Sequence, residues 1–148
     1  MIVYEKGFTF VEIIIVLAIL GISAALAMPS ILDLMARAQL KGAARQVMSD
    51  LMWARMQAVS EKNAFKILPV SDHEYEILDD DDNDGNVDGG EWSGIRDLRD
   101  EYHNVSMHFS AAPVFFPRGS AMAGTITVTN KSGSRKIKIH LTGRVKMV

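Results

Sequence analysis

The chain has 148 residues, enough for one modest domain and an anchor, and a formal net charge of -2 gives no global field steering it toward nucleic acid. It contains no cysteine, which excludes disulfides and thiol chemistry and removes the usual zinc ligands, but does not exclude a location outside the cytoplasm. Charge is unevenly spread: Asp72 to Glu101 holds thirteen Asp/Glu and two Arg, whereas Arg118 to Val148 holds seven Lys/Arg and no acid.

The first predicted element is an apolar run, Phe8 to Met28, 21 residues whose only charge is Glu12. A helix needs about 20 residues to cross the hydrocarbon core. A cleaved secretory signal is one reading, since Ala25-Leu26-Ala27 looks like a small-residue cleavage site. Against it, the run is longer than the usual ~7–15 apolar residues and carries an acid. A plain anchor that keeps Lys6 inside the cell is a second reading. Neither explains Glu12.

The stretch Lys6-Gly7-Phe8-Thr9-Phe10-Val11-Glu12, followed by the apolar run, closely resembles the class III signal of type IV pilins and type II secretion pseudopilins. The resemblance implies that prepilin peptidase cuts between Gly7 and Phe8, that Phe8 becomes an N-methylated N-terminus, and that Glu12 is the assembly residue. It further implies a bacterial inner-membrane protein, with its N-terminus in the cytoplasm and its C-terminal domain in the periplasm, that joins a filament. An acid at mid-bilayer costs on the order of 2.5–3.5 kcal/mol, less near an interface. Glu12 lies about 6 Å along the helix from Phe8 at ~1.5 Å per residue, so its burial is shallow. In a filament it can meet a neighbour's α-amino group, which is mostly protonated at neutral pH. The alternative is that Glu12 reaches the membrane interface alone.

Pro29 is expected to loosen the helix locally. Beyond it, Leu40, Ala44, Val47, Leu51, Ala54 and Ala58 recur at spacings of three and four, one apolar stripe on an amphipathic helix ending near Glu61-Lys62-Asn63. Arg37, Lys41, Arg45, Asp50 and Arg55 largely occupy other faces, and Met52, Trp53 and Met56 read as packing residues.

From Ala64 the period becomes two. Phe65–Leu68, Tyr75–Ile77, Val105–Phe109, Thr125–Thr129 and Lys136–Leu141 read as strands, with a hairpin turn at Asn130–Ser134. The expected fold is α+β, with the boundaries 1–7 leader, 8–29 membrane and assembly helix, 30–62 amphipathic helix, and 63–148 antiparallel β domain carrying an acidic loop at 79–91. The resemblance makes this a pilin-like fold, a long N-terminal helix packed on a small antiparallel sheet domain.

Asp80-Asp81-Asp82-Asn83-Asp84-Gly85-Asn86-Val87-Asp88-Gly89-Gly90-Glu91 fits the 12-residue calcium loop of EF-hands. Candidate ligands are Asp80, Asp82, Asp84, Asn86 through its carbonyl, Asp88 and Glu91, with Gly85 at the sharp turn. Tyr75–Ile77 before the loop looks extended, and Trp92, Ile95, Leu98 and Tyr102 are spaced to line a short helix after it. The other reading is a solvated acidic loop. Calcium is thus the one candidate ligand, and no cofactor is required.

Phe115-Phe116-Pro117-Arg118-Gly119, together with Thr142-Gly143-Arg144-Val145, is similar to the GspH/FimT branch, which carries an F-x-P-x-G element and ends in a glycine-arginine motif. Ala54-Arg55 and Ala58 also fit that branch. The resemblance implies a minor pseudopilin of type II secretion, whose partners are other pseudopilins or pilins, prepilin peptidase and an inner-membrane assembly platform. The alternative is a FimT-type minor pilin, in which Arg144 and Lys146 would contact DNA. A solvated basic edge strand is the simpler account of the C-terminus, because no aromatic lies among these basic residues in sequence. His73, His103, His108 and His140 show no metal-ligand spacing, and no nucleophile motif or phosphate-binding loop is present, so neither an enzyme nor a small-molecule substrate is expected.

Overall fold

The computed structural model describes residues 7–82 and 93–148. The chain forms two compact units, Met1–Met35 and Ala36–Val148. One helix, α1 (Phe10–Glu61), contributes to both. Its N-terminal part presents Phe10, Ile13 to Leu17, Ile19, Leu20 and Ile22 to the outside, and an 18-residue window of it is long and apolar enough to cross a membrane, with none of that window buried. Helical conformation runs through Pro29. Proline has no N–H, so the bond it would donate to the carbonyl of Ala25 is missing. Ser23 satisfies its hydroxyl within the apolar stretch by donating to the carbonyl of Ile19 at 2.8 Å.

In the second unit the predicted stripe is the buried face of α1. Leu40, Ala44, Val47, Leu51, Ala54 and Ala58 are all buried, joined by Ala36 and Ala43. Four of the innermost positions are alanines, so the strands approach the helix backbone closely. Phe65, Ile67, Tyr75 and Ile77 meet this stripe from one sheet, and Met107, Ile126, Val128, Ile137 and Ile139 from another, in one core cluster. Burying each large side chain contributes about 1.5–3 kcal/mol.

The strands among the described residues are β1 (Ala64–Pro69), β2 (Glu74–Asp80), β3 (Ser93–Asp97), β4 (Ser106–Phe109), β5 (Val114–Phe115), β6 (Gly124–Asn130), β7 (Gly133–Ile139) and β8 (Val145–Met147). They form the expected antiparallel β domain as two four-stranded sheets in the orders β3-β2-β1-β5 and β4-β6-β7-β8. The segment after the acidic stretch is not the helix that its apolar spacing suggests. Ser93–Asp97 is a strand paired with β2, Ile95 is exposed, and only a 3-10 turn, Leu98–Asp100, follows, with Asp97 capping it through a bond from the Arg99 N–H. Pairing with β2 along five residues satisfies the inward-facing backbone groups of this segment and extends the sheet, which a single isolated helical turn does not match.

Two polar ties fasten the helix to the strands. The Tyr75 hydroxyl, on β2, donates to the carboxylate of Asp50 on α1, and Gln46 Nε2 donates to the same carboxylate at 3.3 Å. Burial, then the Asp50 carboxylate, pushes the Tyr75 phenol well above the usual tyrosine range. At the β6–β7 hairpin, Asn130 Oδ1 accepts from the Ser132 N–H at 2.8 Å while Asn130 Nδ2 donates to the carbonyl of Ala36 at 2.7 Å. The helix ends at Glu61, Lys62 takes a left-handed φ of 65°, and β1 begins at Ala64.

Candidate functional site

At the start of α1, Gly7 and Phe8 precede the helix and are exposed. Thr9 Oγ1 accepts from the Glu12 N–H at 3.3 Å, and the Thr9 carbonyl accepts the first helical bond from Ile13, also at 3.3 Å. Thr9 is therefore the N-cap and Glu12 the third helical residue, the Thr-x-x-Glu spacing of a capping box. That spacing is readable in the sequence but is masked by the stronger signal around it. The exposed Glu12 carboxylate thus lies in the first turn, where the helix dipole favours negative charge.

The branch-like motifs of the β domain, far apart in sequence, come together around one helix residue. Phe115 is fully buried, and Gly119, at φ +79°, closes a turn by donating its N–H to the carbonyl of Phe116 at 2.8 Å. Gly143, at φ +74°, closes a second turn onto His140 at 2.8 Å. Arg55 Nε donates to the carbonyl of Gly119 at 3.2 Å. A Cβ on Gly143 would collide with that same carbonyl and with Arg55 Nε, so only glycine fits. The F-x-P-x-G turn, the glycine-arginine turn and Arg55 thus form one joint.

Beside this joint runs an open groove of about 810 Å³, with Met52, Trp53, Met56 and Val59 of α1 on one side and Gly143, Arg144 and Val145 on the other. Met52 and Met56, read from the sequence as packing residues, are exposed, Met56 at 62%, and both line this groove. Trp53 is half-buried, edge-on to Phe65 with ring centroids 6.2 Å apart. The aromatic missing from the basic stretch in sequence is therefore supplied by the helix, next to Arg144 and Arg55. Lys146 sits elsewhere, directly across the ladder from Lys138, with both side chains exposed. Of the basic strands only β8 is an edge, since β7 lies between β6 and β8.

Of the calcium-loop candidates, Asp84, Asn86, Asp88 and Glu91 lie outside the described residues. Asp80 is the last residue of β2, only 2% exposed, with Lys66 Nζ at 3.8 Å from its carboxylate. Asp82 is exposed. Asp79 is 8% exposed, and its Oδ1 meets no donor among the described residues. Burial, then the nearby Asp81 and Glu61 carboxylates, raises the Asp79 pKa to about 6.

Three histidines, His103, His108 and His140, are exposed. His73 is different: spatially, though not in sequence spacing, it joins Glu74 and Asp97 in a cluster whose ligating atoms lie within 4.8 Å of one another.

The sequence matches the family described as Type II transport protein GspH over residues 43–143, and the prokaryotic N-terminal methylation motif over residues 3–28. A fimbrial protein of Pseudomonas aeruginosa is 40% identical over 74 residues, 49% of this chain and 47% of the relative. A fimbrial protein of Moraxella nonliquefaciens is 54% identical over 39 residues, 26% of this chain and 25% of the relative. The chain thus spans about half or less of the length of these relatives. The minor pseudopilin EpsH from the type II secretion system of Vibrio cholerae superposes with a TM-score of 0.59 at 11% identity, covering 74% of this chain and 96% of EpsH. The type IV minor pilin FimU of Pseudomonas aeruginosa superposes with a TM-score of 0.58 at 19% identity, covering 76% of this chain and 90% of FimU. Those likenesses establish a common pilin-like fold, and the match across the Arg55, Gly119 and Gly143 joint makes this chain a member of the GspH family of pilin-like proteins.

Proposed function

We propose that the chain is a minor pseudopilin of a type II secretion system, a structural subunit with no catalytic task. It is cut by prepilin peptidase between Gly7 and Phe8 and N-methylated on Phe8. It is held in the bacterial inner membrane with its N-terminus cytoplasmic and its β domain periplasmic. An inner-membrane assembly platform then moves it into a short filament of other pseudopilins, near the tip. The observation that carries this reading is the start of α1. An acid in the first helical turn is followed by an apolar surface that none of the described residues covers. Such a surface needs lipid or neighbouring helices around it. Glu12 would meet the Phe8 ammonium of a neighbour there.

A minor type IV pilin is the second reading, and one arrangement favours it. Trp53, Arg55 and Arg144 line the same groove, the aromatic-plus-cation combination that suits a single-stranded nucleic acid. Calcium bound by the acidic stretch is a separable proposal, supported by its oxygen-rich spacing.

The experiment is a clean deletion in the native bacterium, scored for secreted proteins, surface pili and DNA uptake. Loss of secretion with pili intact is the expected result. Loss of pili or of uptake with secretion intact overturns it in favour of the second reading, and Arg144 and Lys146 become the next residues to replace.

A further inference from the structure

The turn joining β1 to β2 holds a side-chain constellation that assembly does not use. Ser71 Oγ accepts from the N–H groups of His73 at 3.3 Å and Glu74 at 3.1 Å, which fixes the turn. The His73 carbonyl accepts from Leu98 N–H at 3.0 Å, and the Asp72 carbonyl from Met107 N–H at 2.5 Å. The turn is therefore held by the 3-10 turn after β3 and by β4, and the His73 side chain is only 13% exposed. Glu74 and Asp97 sit directly opposite each other in the β2–β3 register. Their carboxylates and the His73 ring present ligand atoms within 4.8 Å of one another, with Glu74 Oε2 3.8 Å from His73 Nε2.

A second, independent feature gives this cluster its chemistry. Asp72 Oδ1 lies 2.5 Å from His73 Nδ1. A carboxylate there favours the tautomer with the proton on Nδ1, so that Nε2, contacted by Ser71 Oγ at 3.3 Å and by the Arg99 guanidinium, keeps its lone pair for an ion that displaces them, the outer-shell arrangement that metal-binding histidines use. We propose that His73 Nε2, Glu74 and Asp97 form a site for a first-row divalent metal ion such as zinc, with Asp72 as its outer-shell partner.

The donor set selects the ion. Imidazole with two carboxylates suits zinc, cobalt or nickel, whereas calcium and magnesium take oxygen. Adjacent ligands of a tetrahedral zinc stand roughly 3.4 Å apart, given bonds of about 2.0–2.2 Å. A relative side-chain shift of about 1.4 Å closes the widest of the observed spacings to that value. Three protein ligands leave one position for water. The Arg99 guanidinium lies against the His73 ring, where the ion would sit. Arg99 is 57% exposed and lies 3.9 Å from the Asp72 carboxylate, so it acts as the competitor that the ion displaces from the ring toward Asp72 and solvent. The bound ion would clip β3, an edge strand, to the β1–β2 turn.

The test is zinc titration of the full-length chain in detergent, followed by calorimetry and thermal melting. One zinc per chain and a raised melting temperature are expected. His73→Ala or Asp97→Asn weakens binding more than tenfold, Asp72→Ala weakens it by ~10–100-fold, and Arg99→Ala, at an exposed position, tightens it. Cobalt in the wild-type chain gives visible absorption that His73→Ala abolishes. Zinc affinity unchanged in His73→Ala, or no zinc bound by either the wild type or Arg99→Ala, overturns the proposal. So does zinc binding that is lost in Asp84→Ala combined with Glu91→Ala but kept in His73→Ala, because the acidic stretch would then be the zinc site.

Discussion

Arg55 Nε donates to the carbonyl oxygen of Gly119 at 3.2 Å, and Gly143 packs onto that same carbonyl. Donor and acceptor stand 64 positions apart in the chain. The bond is charge-assisted and part-buried, worth roughly 1.5–3 kcal/mol. Arg55→Ala is expected to lower stability by about that amount, and Gly143→Ala by roughly 1–3 kcal/mol, because alanine resists a positive φ and its Cβ has no room. Chemical denaturation of each variant measures this. The double variant should lose less than the sum, since both act on the Gly119 carbonyl.

At the other end of the helix, Thr9 and Glu12 separate capping from assembly. Thr9→Ala removes the acceptor for the Glu12 N–H and should cost about 1 kcal/mol of helix stability, with a modest drop in filament incorporation. Glu12→Ala is expected to leave cleavage after Gly7 intact but abolish incorporation. Glu12→Gln, which keeps size and polarity but loses charge, should behave like Glu12→Ala. Co-purification with partner pilins reads all three, and normal incorporation of Glu12→Gln would remove the case for a charge pair.

Asp79 predicts a pH dependence. Its folded-state pKa of about 6 lies above the ordinary value of 3.8, so the folded chain binds that proton more tightly than the unfolded chain. This contribution to stability is fully present below the ordinary value and is lost as pH rises through about 6. Asp79→Asn, which needs no ionisation, is expected to raise the melting temperature above pH 7 and to flatten its slope between pH 4 and 6. Melting curves across that range check both.

Calcium is expected to raise the melting temperature relative to chelator. Asp80 is a poor residue with which to test this, because removing it leaves Lys66 beside a buried, vacated carboxylate position and destabilises the chain without any metal. Asp84→Ala combined with Glu91→Ala is the cleaner variant and should abolish the calcium response. Equal melting temperatures with calcium and chelator in the wild-type chain would count against the loop.

What the sequence reveals follows from the range of the forces involved. The stripe from Leu40 to Ala58 is legible because a helix repeats its buried face every three or four residues along the chain. Strands β1, β2, β4, β6 and β7 announce themselves by alternation. β5 and β8, with two and three residues, are too short to show a period. Trp92, Ile95, Leu98 and Tyr102 have helical spacing, but the partner that makes Ser93–Asp97 a strand is β2, which no local pattern names. Gly7, Phe8 and Glu12 are legible as a linear signal. The meeting of Trp53 with Arg144 is created only when the strands close on the helix, and that of His73 with Asp97 only when β3 pairs with β2.

The join between α1 and β1 spans only Lys62 and Asn63, with Lys62 in a left-handed turn and Asn63 Nδ2 bonded to the Asp81 carboxylate. Such a short connector has no slack for torsion. Turning the adjoining helical segment about its axis must turn the first sheet with it, because Phe65, Ile67, Tyr75 and Ile77 of that sheet pack on the stripe from Leu40 to Ala58. The azimuth at which the groove and the basic face are displayed is therefore written into the phase of the helix.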